Sequence, residues 1–278
     1  MNIIPYKNPQ EFLQNTLHLL EKNEIENNLI LGLCNGLIDN QKKFDGCVFL
    51  NAIDGNDIKS SSIKTLHKAM VTSYDDNMLG VKALAEYYKE YFPRIKGVVG
   101  KSTIAIKFSN WFGKQFVESK VLIVHKLESI NPLPLSEGSI VQASMEDVKL
   151  IIDWSINFEN DANSSIKSSY NEILTSVVRR IESGNFYKWI CDGEIVSIAA
   201  IVRQTTNACI IGVVYTPSYY RGKGYATSCV HKLSETVLER GFKYCGLYTD
   251  KANPTSNNIY KNIGYVPIEE HSDIEFID

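Results

Sequence analysis

The sequence has few of the features that mark an exported, membrane-spanning or nucleic-acid-binding protein. No apolar stretch approaches the roughly 20 residues that cross a bilayer, and the first residues lack the charged and then apolar segments of a signal peptide. Basic residues are not in excess, since 29 Lys and Arg stand against 32 Asp and Glu. We therefore expect a cytoplasmic protein that binds neither a membrane nor nucleic acid.

Closely spaced cysteine pairs are also absent. Zinc sites usually take thiolates from C-x-x-C pairs, and neither the cysteines nor the five histidines show such spacing. All but one of the cysteines lie in apolar or periodic segments. The sequence therefore predicts buried free thiols, without a disulfide framework or a metal site, at Cys34, Cys47, Cys191, Cys209, Cys229 and Cys245.

The length and composition are those of a globular protein with two domains. The chain has 278 residues, of which 44% are hydrophobic and 22% charged, and a net charge of -3. Two prolines and a glycine exclude regular structure across residues 129–138. We expect an N-terminal domain at residues 1–128, a linker at 129–136 and a C-terminal domain at 137–278.

Periodicity in the first half predicts a mixed α/β domain. A helical pair is expected around residues 12–20 and 27–37, and a third helix at 78–91. Strands are expected at 46–53, 63–72, 95–99 and 120–127, with a helix at 101–117 before the last of these. The second half has a loosely similar run of elements, which raises the hypothesis of a tandem duplication.

The second half is predicted to form a mixed sheet with helices packed on it. Its expected order is strand, helix, helix, strand, strand, strand, helix, strand, helix, strand, strand. Asp192-Gly193 predicts a type I′ turn between strands at 186–191 and 194–203. Further strands are expected at 140–143, 208–216 and 245–250, and helices at 144–154, 168–182 and from residue 226.

A glycine-containing segment joins an apolar strand to a well-marked helix at residues 213–226. Gly222 and Gly224 would let the backbone approach a ligand, and the first amides of the helix would have no intrahelical partner. Arg221 and Lys223 add positive charge, which suits a pyrophosphate. The alternative is a glycine turn that only lets a strand enter a helix.

Two motifs in this half resemble the signature of the GNAT superfamily of N-acyltransferases. The first is R-x-x-G-x-A at residues 221–226, and the second, N-x-x-S-x-x-x-Y-x-x-x-G-Y, runs from residue 253 to 265. Residues 23–29 also resemble the opening of two-domain GNAT proteins. The resemblance implies a GNAT fold, a mixed and mostly antiparallel twisted sheet flanked by helices. The first half would be a degenerate GNAT-like copy or a domain that shapes the acceptor pocket.

The resemblance also implies roles for individual residues. The strand that ends at Thr216 would pair its backbone with pantetheine, the glycine segment would wrap the pyrophosphate, and Asn253 would bond the pantetheine chain. The residues implied to bind the acyl-CoA are Val214, Tyr215, Thr216, Arg221, Gly222, Lys223, Gly224, Tyr225, Ala226, Thr227, Asn253 and Asn257. For Asn253 the alternative is a helix N-cap before Pro254.

Tyr260 is implied to be the general acid that protonates the departing thiolate. The ordinary pKa of a phenol, near 10, lies close to that of an alkyl thiol, so the proton transfer would be nearly balanced. The alternative for Tyr260 is an aromatic residue that fills the core.

The general base is left open by the resemblance. Tyr248 occupies the position at which many family members carry a glutamate. Asp250 is the first candidate and Glu194 the second, and for both the alternative is a solvated carboxylate at a turn or strand end.

A third glycine segment, residues 97–103, ends in the G-K-S of a nucleotide-binding P-loop. The full pattern needs glycine where Ile95 stands, and the strand that follows ends in His125 without an aspartate for magnesium. We therefore expect a glycine turn before an amphipathic helix. Since this segment also lacks the R-x-x-G-x-A spacing, no second CoA site is expected.

The expected function is an N-acetyltransferase that moves the acetyl group of acetyl-CoA to a primary amine of a small molecule or peptide. The amine would attack directly in a ternary complex, without a metal, in a monomer or homodimer. The alternative is a non-catalytic acyl-CoA-binding sensor or interaction module. The mildly acidic chain favours cationic amines as acceptors.

Overall fold

The computed structural model of the chain describes residues 1–39, 46–162 and 167–277. It divides into two compact units. Unit 1 contains Met1–Val124 together with Ile268–Asp278, and unit 2 contains His125–Pro267. Residues 129–136, expected as a linker, lie inside unit 2, and the end of the chain belongs to unit 1.

Unit 1 is built from strands and helices in the order β-α-α-β-β-β-α-β-α-β, completed by a strand from the end of the chain. The elements are β1 (Asn2–Tyr6), α1 (Pro9–Leu20), α2 (Asn28–Ile38), β2 (Val48–Asp54), β3 (Asp57–Lys64), β4 (Lys68–Ser73), α3 (Leu79–Tyr91), β5 (Gly97–Lys101), α4 (Ser102–Phe112) and β6 (Phe116–Leu127). The strand order in this unit is β1-β2-β3-β4-β5, then the C-terminal strand, then β6. Pairing is antiparallel from β1 to β4 and parallel between β4 and β5.

The single strand predicted at residues 63–72 is wrong. Lys64 and Lys68 belong to two antiparallel strands, and the amide of Thr65 donates to the carbonyl of Lys68 at 2.9 Å to close the turn between them. This turn has neither glycine nor proline, so the sequence shows a continuous β-forming run where the chain reverses.

The P-loop-like glycines of unit 1 belong to a strand. Gly97 and Gly100 lie in β5, and a β-carbon on Gly100 would come within 2.6 Å of the carbonyl oxygen of Val71. Helix α4 follows directly and ends at Phe112, with Gly113 as its C-cap, earlier than the predicted residue 117. The glycine turn expected before this helix is therefore a strand, and its glycines are explained by close strand packing.

Unit 2 has the same order of elements as unit 1. They are β7 (Ser139–Gln142), α5 (Val148–Asp161), α6 (Tyr170–Glu182), β8 (Phe186–Cys191), β9 (Glu194–Gln204), β10 (Ala208–Tyr215), α7 (Tyr225–Glu239), β11 (Tyr244–Asp250), α8 (Pro254–Ile263) and β12 (Val266–Phe276). Two closing strands were predicted, whereas β12 is one strand, and its residues from Ile268 onward belong to unit 1.

The sheet of unit 2 has the order β11-β10-β9-β8-β7. All neighbours are antiparallel except β10 and β11, which run parallel. Asp192 and Gly193, between β8 and β9, have φ of +50° and +80°, as a type I′ turn requires. The fold is thus the predicted mixed, mostly antiparallel sheet flanked by helices.

Each face of the unit 2 sheet is covered by a helix pair. One core contains α7 and α8 residues packed on strand residues, including Cys229, Leu233, Ile263, Ile211 and Leu247. The opposite core joins α5 and α6 to the sheet and includes Ile151, Trp154, Val177, Phe186 and Ile198.

The six cysteines are free thiols, as predicted, and all but Cys47 are buried. Across the described ranges, no helix has the length and apolar character needed to cross a membrane.

The C-terminal strand is predicted to stabilise unit 1, far away in sequence. Ile274 of β12 is fully buried beside Val98 of β5, whereas Ile277, just after β12, is 47% exposed. Ile274→Ala should therefore destabilise unit 1 by about 2 to 5 kcal/mol, because it leaves a cavity in the core. Hydrogen exchange of the β5 amides measures this loss. Ile277→Ala is the control and should leave exchange unchanged, and equal exchange in both variants would contradict this assignment of the strand.

Candidate active site

The centre of unit 2 is the place where β10 and β11 part. Their parallel pairing runs to Ile211 opposite Leu247 among the described pairs, and the two strands continue beyond it to Tyr215 and Asp250. A bulge adds to this divergence. Val213 has a positive φ of +52°, and the register of β10 with β9 shifts just after Gly212. Beyond Gly212, the edge of β10 that faces β11 is thus available to hydrogen-bond with another extended chain.

The turn after β10 leads into a row of unpaired backbone amides. The first helical hydrogen bond of α7 runs from the amide of Ser228 to the carbonyl of Gly224 at 3.0 Å. Within the described chain, the amides of residues 222–227 donate no hydrogen bond. Gly222 and Gly224 have φ of +79° and +78°, which side chains rarely tolerate. Together with the helix dipole, these donors form a site for an anion.

The two basic residues of this turn have different surroundings. The Arg221 guanidinium donates to the carbonyl of Thr216 at 2.8 Å and to Asp161 at 2.6 Å, and it lies over the Tyr215 ring. Arg221 therefore holds the turn against the end of α5. Lys223 is exposed and forms no ion pair with any described residue. Of the two, Lys223 has the charge that is available to a ligand.

Residues 129–138 form a strap across α7 and α8. Ser136 donates from its hydroxyl to the carbonyl of Lys223 at 2.6 Å and from its amide to the Ser228 hydroxyl at 2.8 Å. Asn131 donates from its amide to the carbonyl of Ile263 at 2.9 Å. The strap thus fixes the glycine turn through the carbonyl of Lys223 and the side chain of Ser228. Sequence analysis missed this role because the prolines indicate only irregular structure.

The two predicted asparagines lie at the start of α8. Asn253 is the N-cap, since its side-chain oxygen accepts from the amide of Ser256 at 3.1 Å. Its side-chain nitrogen donates to no described residue, so capping and ligand binding are compatible. Asn257 accepts from the Thr249 hydroxyl and donates to the carbonyl of Asp250 at 3.4 Å. The side chain of Asn257 is therefore occupied in joining α8 to β11.

Tyr260 lies in the core beneath α8. It is 9% exposed, and its ring meets that of Tyr265 edge to face at 6.0 Å. Its hydroxyl forms no hydrogen bond with the described residues. Burial raises the pKa of Tyr260 well above the ordinary value, with a smaller contribution from Cys229. The nearly balanced proton transfer expected from an unperturbed phenol therefore does not hold in the unliganded site.

A buried histidine, which sequence analysis considered only as the end of a strand, lies beside Tyr260. The ring centroids of His125 and Tyr260 are 6.4 Å apart, and Nε2 of His125 is 2.8 Å from the Thr249 hydroxyl. Because that hydroxyl donates to Asn257, Nε2 must carry the proton and Nδ1 must be the unprotonated nitrogen. Nδ1 is buried and has no hydrogen-bond partner in the described chain. Burial also lowers the pKa of His125.

The carboxylates predicted as base candidates lie in different places. Strand alternation puts Tyr248 and Asp250 on the face opposite Leu247, towards α5 and α6. Asp250 accepts from the amide of Ala252 at 2.9 Å and so shapes the turn before α8. Glu194 is exposed at the start of β9, and its charge adds to burial in raising the pKa of Tyr220. Only Asp250 is at the end of the parted strands. Among the residues described, no group of three metal-binding side chains occurs.

Comparison with known proteins agrees with this geometry. Residues 152–265 match the model of the acetyltransferase (GNAT) family. An acetyltransferase of the GNAT family from Colwellia psychrerythraea is similar over 99% of both chains, with 10% identity and a TM-score of 0.64. A GCN5-related N-acetyltransferase from Sphaerobacter thermophilus matches 99% of this chain and 95% of its own, with 13% identity and a TM-score of 0.65.

A third similar structure is a tandem GNAT protein from the clavulanic acid biosynthesis pathway. It has 12% identity and a TM-score of 0.62, with 98% of this chain and 97% of that chain covered. Comparison with curated protein sequences gives no significant match. Residues 152–265 therefore match the GNAT acetyltransferase family, whose members transfer acyl groups from acyl-CoA, and the whole chain has the fold of the two-domain GNAT structures.

The buried histidine predicts a pH dependence of stability. Since burial lowers the folded-state pKa of His125 below its unfolded value near 6.5, the unfolded chain binds the proton more readily. The contribution of neutral His125 to the free energy of unfolding is thus complete above about pH 6.5. It is lost as the pH falls through the lowered pKa of His125 in the folded state. His125→Gln keeps a donor for Thr249 but cannot titrate.

Thermal melting of both proteins at pH 7.5 and pH 5 measures the effect. The melting temperature of the unmodified protein should fall more on acidification than that of His125→Gln. His67→Gln, at an exposed position, should behave like the unmodified protein. Equal acid sensitivity in His125→Gln would show that this histidine is not the cause.

Proposed function

We propose that unit 2 transfers the acetyl group of acetyl-CoA to a primary amine of a small molecule or peptide, by direct attack of the amine in a ternary complex. The observation that carries this proposal is the row of six unpaired amides, residues 222–227, beside the parted strands β10 and β11. The unpaired amides fit a pyrophosphate, and the parted strands fit an extended chain that contains amides. Acetyl-CoA has both parts in one molecule.

The donor would lie with its pyrophosphate on the start of α7 and its pantetheine along β10. Val214, Tyr215 and Thr216 would pair with the pantetheine amides as a neighbouring strand would. Lys223 would add a charge to the phosphates, while Arg221 would keep the turn in shape. Asn253 would donate its free side-chain nitrogen to the pantetheine.

Tyr260 would act on the sulfur as the thiolate departs. Its raised pKa keeps the phenol protonated throughout the physiological range, so the donor is always present. The same shift makes it a weaker acid before substrate binds. Its hydroxyl would therefore donate a hydrogen bond first, and complete the proton transfer as negative charge develops on the sulfur.

The acceptor amine would approach from the face of α5 and α6, opposite Tyr260. Asp250 is on this face at the end of β11 and remains the first candidate for the base, acting directly or through water. Trp154 and Tyr215, whose rings are 5.9 Å apart, belong to the same face. A backbone amide of the bulged strand would polarise the thioester carbonyl.

Binding of CoA is tested with two glycine variants. Gly222 and Gly193 have nearly equal φ of +79° and +80°, and an added β-carbon would meet nothing within 4 Å at either. Gly222→Ala and Gly193→Ala should thus lose similar stability, roughly 1 to 2 kcal/mol. Only Gly222→Ala places a methyl group where phosphate must approach the backbone, so its Kd for CoA in calorimetry should rise about tenfold or more. Equal affinities in the two variants would argue against the site.

The role of Tyr260 is tested against its neighbour. Tyr260→Phe removes a hydroxyl that has no hydrogen bond with any described residue, whereas Tyr265→Phe removes one that lies 2.8 Å from the Ser234 hydroxyl. We expect Tyr260→Phe to keep its melting temperature and lose on the order of 10² in kcat. Tyr265→Phe should show the opposite, lower stability and nearly unchanged kcat. Thiol release from acetyl-CoA over an amine panel gives the rates, and full activity in Tyr260→Phe would remove it from the mechanism.

A non-catalytic acyl-CoA-binding module is the second candidate. The observation in its favour is that Tyr248 replaces the expected glutamate and that Asp250 is engaged in a turn. Such a module would bind CoA and lose affinity in Gly222→Ala, but it would release no thiol with any amine of the panel. The rate measurement therefore separates the two candidates.

A further inference from the structure

In unit 1, strands β4 and β5 part as β10 and β11 do. Their parallel pairing runs to Met70 opposite Val99, and residues 74–78 then lead into α3. Met78, at the N-cap of α3, has φ of +56°, close to the +78° of Gly224 at the N-cap of α7. Unit 1 thus keeps the backbone path of the anion site with different side chains.

These side chains make the start of α3 unsuitable for a phosphate. Asp75 accepts from the amide of Met78 at 3.1 Å, and Asn77 accepts from the amide of Leu79 at 2.9 Å. Two of the amides that would bind an anion are therefore already used. With Met78 matched to Gly224, Asp75 stands at the position of Arg221 and Asp76 at that of Gly222, so two negative charges would repel a pyrophosphate.

A cavity of about 650 Å³ nevertheless lies at the parted ends of β4 and β5. It is bordered by the strand ends and by the segment between α1 and α2, and all of its lining residues belong to unit 1. The volume is within the range of small-molecule sites. The charged lining residues at this end include Glu26, Asp75, Asp76 and Lys101.

The lysines of the cavity are paired or exposed. Lys59 forms an ion pair with Asp57 at 3.1 Å, and Lys101 forms one with Glu269. Lys22 has an exposed side chain on the short helix after α1. None of the three presents an uncompensated buried charge to the cavity.

Three of the remaining carboxylates of the cavity lack ion pairs. Glu26, Asp75 and Asp76 form no ion pair with any residue in the described ranges. Glu26 is partly buried, and burial raises its pKa despite the attraction of Lys101. One oxygen of Asp75 is shielded from solvent and accepts no hydrogen bond from the described chain. Asp76 is exposed, but partial burial of the unpaired carboxylates of Glu26 and Asp75 is costly, and a bound cation would reduce that cost.

We propose that the unit 1 cavity binds a small organic cation with a primary ammonium group, whose counter-charges are the carboxylates of Glu26 and Asp75. An ammonium group has three donors and no acceptor, which matches carboxylate oxygens without partners. The cavity is thus a second ligand site of the chain, separate from acyl-CoA binding and independent of the activity of unit 2.

Three compounds with the same four-carbon length test the charge requirement on the full chain. Putrescine has two ammonium groups, 1,4-butanediol is neutral and succinate is a dianion. Calorimetry at low ionic strength should show binding of putrescine alone, and added salt should weaken it. No heat with putrescine, or equal binding of the diol, would overturn the proposal.

Glu26→Gln shows whether putrescine binds in this cavity. The variant keeps the shape of the side chain and removes an unpaired charge, so it should fold and should raise the Kd for putrescine about tenfold or more. Glu86→Gln, on the exposed face of α3 outside the cavity, is the control and should not change the Kd. Affinity for CoA should be the same in both variants. If Glu26→Gln binds putrescine as well as the unmodified protein, binding occurs elsewhere and the proposal fails.

Discussion

Six consecutive backbone amides, residues 222–227, have no acceptor within the described chain, and Gly222 and Gly224 hold this arrangement through positive φ. Backbone donors without partners need water or a ligand, so the turn is suited to an anion even before any side chain is considered. Contacts on both sides of the turn hold it in this conformation. Arg221 fixes the turn to α5, and Ser136 holds the carbonyl of Lys223 from the other side. The catalytic proposal depends on this constraint, because it sets where the donor and its sulfur would lie relative to Tyr260.

The two units show how side chains change the use of one backbone plan. Both have parallel strands that part before a helix with a left-handed N-cap residue, Gly224 in unit 2 and Met78 in unit 1. In unit 2 the amides of residues 222–227 and the Lys223 ammonium group have no partner among the residues that the structure describes. In unit 1, Asp75 and Asn77 occupy the amides and the charge is negative. The two units thus differ at the start of this helix through a few loop residues, which leave the amides open in unit 2 and occupied in unit 1.

The sequence predicts the parts of this site that local chemistry determines. The spacing of Gly222 and Gly224 before an amphipathic helix, and Asp192-Gly193 between two strands, need no tertiary information. The bulge at Val213 could not be predicted, because a β-branched residue adopts positive φ only when the surrounding sheet imposes it. The strap through Ser136 and the raised pKa of Tyr260 likewise arise from packing between distant segments. The turn between β3 and β4 was missed because it has no glycine or proline.

The stoichiometry of CoA binding distinguishes the two units. Each chain has one open anion site, at the start of α7, and one that Asp75, Asp76 and Asn77 close, at the start of α3. Isothermal titration of the full chain with CoA should therefore give one molecule bound per chain, with heat and a rise in melting temperature. Two molecules per chain would contradict the account of unit 1, and no binding at all would contradict the account of unit 2.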